Sequence, residues 1–237
     1  MPNYNLEILE KARTWFRDTI AVNHIINTKK LKSSSKFNIN PFLAVYLANF
    51  LTGDSSALSI AKALIYPRVL GTSITTSFGQ NIQKFTSDVL DAFGSAIPGV
   101  DIEFIDQIDR RKKYCQLKAG PNTINHDDVE TIAGHFLSTI RLAQTNNLPI
   151  GFNDMIVGII YGESDALSSH YLRITDQYHY PVHVGKDFWH RLTGDEGFYE
   201  KLIISIGSVA IEADYSHELE DVIRQLAEQD EVRNLSR

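Results

Sequence analysis

The residues best placed to do chemistry lie in GVDIEFID and KKYCQLKAG: Asp101, Gln116 and Lys118. Gln116 and Lys118 are two apart, so on a strand their side chains leave the same face. Asp101 precedes Gln116 by fifteen residues, a length that two antiparallel strands and a turn fold back on itself. The three side chains then converge at one edge of a sheet. A carboxylate there binds a hard divalent cation through oxygen, and an amide oxygen replaces a second carboxylate at lower charge. The backbone carbonyl of Leu117 adds a third oxygen. Lys118 supplies a cation that orients or deprotonates a water, or offsets charge on a phosphate. Cation, water and lysine together suit phosphodiester hydrolysis. The simpler reading of the same residues is a solvent-facing hairpin edge with Lys118 as an ordinary surface cation.

The first acid has an alternative. Asp106 is ten residues before Gln116 and in a tight hairpin would face it directly. Asp101 and Glu103 share one strand face and Asp106 takes the other, so all three do not serve one ion. Glu103 is read either as a further carboxylate near the ion or as an exposed strand residue.

The pattern resembles the PD-(D/E)xK nuclease superfamily in the branch where glutamine replaces the middle acid. There a Gly-x-Asp strand is followed by a Gln-x-Lys strand, as Gly99-Val100-Asp101 is here by Gln116-Leu117-Lys118. The wording GVDIEFID…KKYCQLKAGPNTINHDD, with TSFGQNIQKF, VGIIYG and DFWHRLTGD, is further similar to type II restriction endonucleases that cleave GGNCC-like sites. The resemblance implies Mg²⁺-dependent cleavage of both strands of a short palindrome by a homodimer, with Asp101 as the first acid. It implies a cognate DNA methyltransferase that protects the host's own sites. It also implies a restriction-endonuclease-like core, a central mixed sheet flanked by helices. The superfamily often carries a helical glutamate ahead of the first aspartate, but no glutamate occurs between Glu10 and Glu103. Gln83 is the residue expected to stand there. Rival readings are a repair or junction-resolving nuclease of the same fold, and a DNA-binding module without activity.

The elements that must hold this hairpin are legible from periodicity. Apolar spacing predicts a helix from Asn5 to about Asn27. Pro41 opens a second (PFLAVYLANFL). Asp54-Ser55-Ser56 cap a third (ALSIAKALIY), expected to stop at Pro67. One long amphipathic helix is expected from Ser77 to about Phe93, with Ile82, Phe85, Val89 and Leu90 inward. Strands are expected at Val100 to Ile108 and Lys113 to Leu117, around a turn at Asp109 to Lys112. Asp127 and Asp128 lead a helix through Leu142. MIVGIIY (Met155 to Tyr161) reads as a buried central strand, and Tyr180 to Val184 as another. Asp187 to Arg191, Phe198 to Ala213 and the acidic tail read as helices. The fold class is α/β, with α+β as the variant, around a mixed sheet. A single domain over residues 1–237 is expected: a helical part to residue 93, a sheet core at 94–185, and a helical part at 186–237.

Composition narrows the partners. With 237 residues, 43% hydrophobic and 22% charged, the chain can bury a sizeable core. Cys115 is its only cysteine, which rules out an internal disulfide or a multi-cysteine zinc site. MPNYNLEILEKARTWF lacks a signal-peptide run and no membrane-length apolar stretch follows, so a cytoplasmic, prokaryotic setting is expected. The net charge of −6 argues against an indiscriminate nucleic-acid coat, yet leaves room for a basic cleft. Asn122 and Asn125 are read as phosphate contacts or as turn and cap residues. Arg173, Lys186 and Arg191 are read as DNA contacts, since arginine and lysine read guanine edges. The alternative is an aromatic core around Phe188, Trp189, Phe198 and Tyr199 with those cations solvated around it.

Overall fold

The computed structural model describes residues 2–213 and 215–236, apart from a few side chains. Helices α1 (Pro2–Trp15), α2 (Val22–Lys29), α3 (Pro41–Thr52), α4 (Ala57–Pro67), α5 (Ser73–Gln80) and α6 (Ile82–Val89) come first. Then follow β1 (Ile102–Ile105), β2 (Lys112–Lys118), α7 (His126–Thr145), β3 (Met155–Ile159), α8 (Ser169–Tyr178) and β4 (Val182–Val184). Helices α9 (Lys186–Thr193), α10 (Phe198–Ala213), α11 (Ser216–Ala227) and α12 (Asp230–Arg233) complete the chain. Contacts gather into two compact units: Met1–Arg13 with Ile82–Ser205, and Thr14–Asn81 with Ile206–Arg237.

The first unit holds a mixed four-stranded sheet in the order β1-β2-β3-β4, antiparallel at β1/β2 and parallel elsewhere. A strand with parallel neighbours on both edges and helices on both faces must be apolar throughout, and every residue of β3 is buried. On one face Tyr114, Val157 and Ile159 pack with Val129, Phe136 and Ile140 of α7 and with Tyr171 and Ile174 of α8. On the other, Phe188 lies edge-on to Phe104, and Trp189 packs against Phe85 and Phe198. This is the expected α/β core, and Phe188, Trp189 and Phe198 of the aromatic alternative pack together in it.

In the second unit, α3, α4 and α11 share a separate core of Ala48, Ile60, Ile65, Ile223 and Leu226. Asn40 caps α3 by accepting the Phe42 and Leu43 amides, and Pro41 sits in its first turn. Ser56 caps α4.

The helix expected from Asn5 to about Asn27 is interrupted by a π-helical stretch, Phe16–Ala21, and three further boundaries stand out against expectation. Helix α4 includes Pro67, and the chain continues through a π-helical turn, Arg68–Thr72. Proline removes one ladder bond but keeps a helical φ, and a widened turn absorbs its ring. The long helix expected from Ser77 to Phe93 breaks at Asn81. There the side-chain amide donates to the Ser77 carbonyl (2.8 Å) and competes with the backbone ladder. Strand β1 is shorter than expected because Asp106 opens the turn, accepting from the Ile108 amide at 2.7 Å.

Candidate active site on the β1–β2 hairpin

Gly99 turns the chain into this site at φ +79°, in the left-handed region that favours glycine. A Cβ there would stand 2.3 Å from the His135 ring of α7. Asp101 follows, one residue before β1. Its amide donates to the Cys115 carbonyl at 2.9 Å, and its Oδ2 accepts the Leu117 N–H at 2.7 Å. The carboxylate is therefore fixed against the middle of Gln116-Leu117-Lys118.

Gln116 and Lys118 alternate with Tyr114, which belongs to the core beneath α7, so all three share that face. Both are half-buried. The Gln116 Oε1 is buried with no hydrogen-bond partner. Burying a carbonyl oxygen without a partner costs about 1–3 kcal/mol, so this atom sits at a place that suits a ligand. The Lys118 carbonyl is directed to β3, where it accepts from the Ile160 amide at 3.0 Å. Successive residues of a strand point their backbone groups to opposite edges. The Leu117 carbonyl therefore leaves on the Asp101 side, beside its own N–H.

Burial pushes the Asp101 carboxyl above its usual value, with the Leu117 N–H and the Lys118 charge pulling the other way. One carboxylate and two neutral oxygens make a donor set for a hard cation. No group of three or more His, Cys, Asp or Glu gathers for a metal among the described residues. Full burial pushes the Cys115 thiol well above its usual value, so it stays protonated.

Asp106, the alternative first acid, lies at the far end of the hairpin, where its amide donates to the Arg111 carbonyl. The register Ile105↔Lys112 separates it from Gln116 by several residues. It is fully buried, and its oxygens take the Ile108 amide and the Arg191 guanidinium at 2.9 Å. Glu103 has Ser95 and Lys112 as partners, at 2.7 and 2.6 Å. Burial raises its pKa, but these partners outweigh burial and hold it below the usual value. Gln83 falls in the first turn of α6, and its side chain lies outside the described residues.

The expected DNA contacts are scattered over this unit. Asn122 is exposed in the loop after β2. Asn125 caps α7, accepting the Asp127 and Asp128 amides, while Asp128 accepts the Asn125 amide. Arg173 pairs with Glu130 at 2.8 Å, and exposed Lys186 with Glu200 at 3.3 Å. Arg191 bridges Asp106 and Asp187.

Sequence reasoning missed what steadies the loop behind Lys118. The buried Tyr171 hydroxyl donates to the Gly120 carbonyl at 3.1 Å, and burial pushes its pKa up to about 12. The Tyr161 ring lies directly over Gly120, where a Cβ would meet it at 2.4 Å. Neither has a local sequence signal, because both reach the loop across the fold.

The family model described as type II restriction endonuclease EcoO109I matches residues 26–214. The chain belongs to the type II restriction endonuclease EcoO109I family. The endonuclease is accordingly a site-specific deoxyribonuclease whose substrate is DNA. No curated protein matches its chain. No helix among its described residues is long and apolar enough to cross a membrane.

Proposed function

We propose that the endonuclease hydrolyses both strands of a short palindromic, GGNCC-like site with Mg²⁺, from the centre formed by Asp101, Gln116, Leu117 and Lys118. The observation that carries this is the buried, unpartnered Gln116 Oε1, with a carboxylate held by the Leu117 N–H at the register position opposite Gln116. Asp101, the Gln116 amide oxygen and the Leu117 carbonyl would hold the cation. When bound, Mg²⁺ supplies Lewis acidity toward an oxygen of the scissile phosphate. Asp101 carries the single negative charge of the set, and the Leu117 N–H holds its orientation. Lys118 hydrogen-bonds the attacking water and offsets charge that builds on the phosphate. Gln83 stands in the place of the superfamily's helical glutamate.

For DNA contacts we propose Asn122, Asn125, Arg173, Lys186 and Arg191. Asn122 and Lys186 lead, being exposed. Arg173 and Arg191 would exchange carboxylate partners for phosphate or base edges. We take both compact units as parts of one endonuclease domain, working in the cytoplasm as a homodimer. A cognate methyltransferase would protect host sites. The GGNCC-like site rests on the resemblance of the hairpin and flanking motifs.

Digestion of a fully sequenced plasmid, with and without Mg²⁺, tests the reading. Ends at one recurring short sequence, only with the cation, are expected. Preference for a four-way junction over intact plasmid would point instead to a resolving nuclease, and DNA binding without cleavage to an inactive module.

A further inference from the structure

The basic cleft for which the charge leaves room has a place in the second unit. From Thr19 to Asn81 the chain carries six lysines and arginines and one acid, Asp54. Two hollows adjoin there, sharing Asn27 and Arg68 in their walls. Lys30 and Lys36 line the first, of about 260 Å³, and Ser77 and Gln80 the second, of about 540 Å³. Among the described residues no carboxylate lines either hollow. Lys29 pairs with Glu218 of α11 at 3.8 Å, but exposed Lys30, Lys36 and Arg68 have no ion-pair partner among the described residues. In the first unit, by contrast, Arg173, Lys186 and Arg191 are each held by a carboxylate.

Backbone and ring contacts fix these charges in place. Arg68 opens the π-helical turn Arg68–Thr72, a widened form of helix that recurs at functional sites. His24 of α2 donates its Nε2–H to the Val69 carbonyl at 2.8 Å and so ties α2 to that turn. The Arg68 guanidinium lies over the Phe37 ring at 5.3 Å and donates to the Lys36 carbonyl. Its remaining N–H groups stay available. Lys30 donates to the Asn27 side-chain oxygen at 2.9 Å, which leaves the Asn27 NH₂ free to donate.

We propose that this groove grips the phosphodiester backbone of DNA, independently of sequence. Lys30, Lys36 and Arg68 take phosphate oxygens and release counterions. Asn27, Ser77 and Gln80 donate hydrogen bonds to phosphate or sugar oxygens. A groove walled by cations and without acid repels a metal ion and favours a polyanion. A free phosphate shares that chemistry but would fill a small part of the two hollows, whereas successive phosphates of one strand occupy both.

The proposal does not use the hairpin centre. Its test runs in EDTA and reads binding, so a failed groove and a failed catalytic reading are separate results. Fluorescence anisotropy of the full chain with two labelled duplexes of unrelated sequence gives affinity and its dependence on KCl. Lys30→Ala/Lys36→Ala should weaken both duplexes alike, at least about tenfold at ~0.1 M salt, and lower the slope of log affinity against log salt by about two. Both lysines are exposed, so circular dichroism and melting temperature should hold. Arg68→Gln should lower the slope by about one; should it unfold, the lysine pair decides. Lys62→Ala, on α4 and lining neither hollow, should leave the slope as it is. A folded lysine-pair variant with the wild-type slope would overturn the proposal, as would a wild type that binds neither duplex. So would an equal loss in Lys62→Ala, which would make the effect one of net charge, or a loss confined to one duplex, which would make it base reading. Inorganic phosphate should compete no better than chloride at equal ionic strength; phosphate that displaces the duplexes beyond that would assign the groove to a free anion instead.

Discussion

The Asp101 carboxylate accepts the Leu117 N–H at 2.7 Å, so the one acid of the candidate centre is tied to the main chain between Gln116 and Lys118. The bond orients an acid that is otherwise poorly solvated. Burial raises its pKa despite that bond and the nearby Lys118 charge.

A pH dependence follows. Cation binding needs the ionised form, so cleavage should fall with decreasing pH at values above the ordinary carboxylate range. The folded protein also binds the Asp101 proton more readily than the unfolded chain does. Stability is therefore lost as pH rises from the ordinary carboxylate value through the raised one. In EDTA at pH 7, Asp101→Asn should melt higher than wild type. The gap should close as pH falls below the ordinary carboxylate value. Melting curves across pH check the sign.

Gln116 separates a ligand from a structural residue. Replacing it with methionine removes the stranded oxygen at similar volume. In EDTA, Gln116→Met should hold its stability or gain about 1 kcal/mol, read by urea unfolding, while Mg²⁺-dependent cleavage drops at least about 100-fold. A Gln116→Met that cuts normally would remove the amide from the site.

Asp101 and Asp106 should fail differently. Breaking the buried Asp106–Arg191 pair with Asp106→Ala should cost about 3 kcal/mol of unfolding free energy. Asp101→Ala should leave folding near wild type and abolish cleavage. Unfolding and cleavage measured side by side decide between the two acids.

Gly99 would act on cleavage by positioning Asp101. Alanine there meets both a positive φ and the His135 ring. Gly99→Ala should therefore lower kcat at least about tenfold through a displaced Asp101. Gly99→Ala combined with His135→Ala should recover part of that loss, and kcat measured well below the melting temperature of each variant separates displacement of Asp101 from loss of folded protein.

Much of this was legible in the sequence because it is local. The two-residue spacing of Gln116 and Lys118 and the apolar run of MIVGIIY read directly onto β2 and β3. The capping role of Asn125, one of two readings, is present in full. The turn at Asp106 was not legible, because its reason is Arg191, far along the chain. The break at Asn81 was hidden by apolar spacing that runs on through Ile82 and Phe85. Periodicity also marked α3 as a helix, but the sequence did not show that most of its apolar side chains would lie outside.

Lys118 offers the most direct measurement. Wild type and Lys118→Ala should be compared on one sequenced plasmid with Mg²⁺ at equal, DNA-saturating concentration. Single-turnover cleavage should be lost by at least about 100-fold in the variant, with DNA binding and melting temperature retained. A Lys118→Ala enzyme that cuts the same site at the wild-type rate would contradict the hairpin as the catalytic centre.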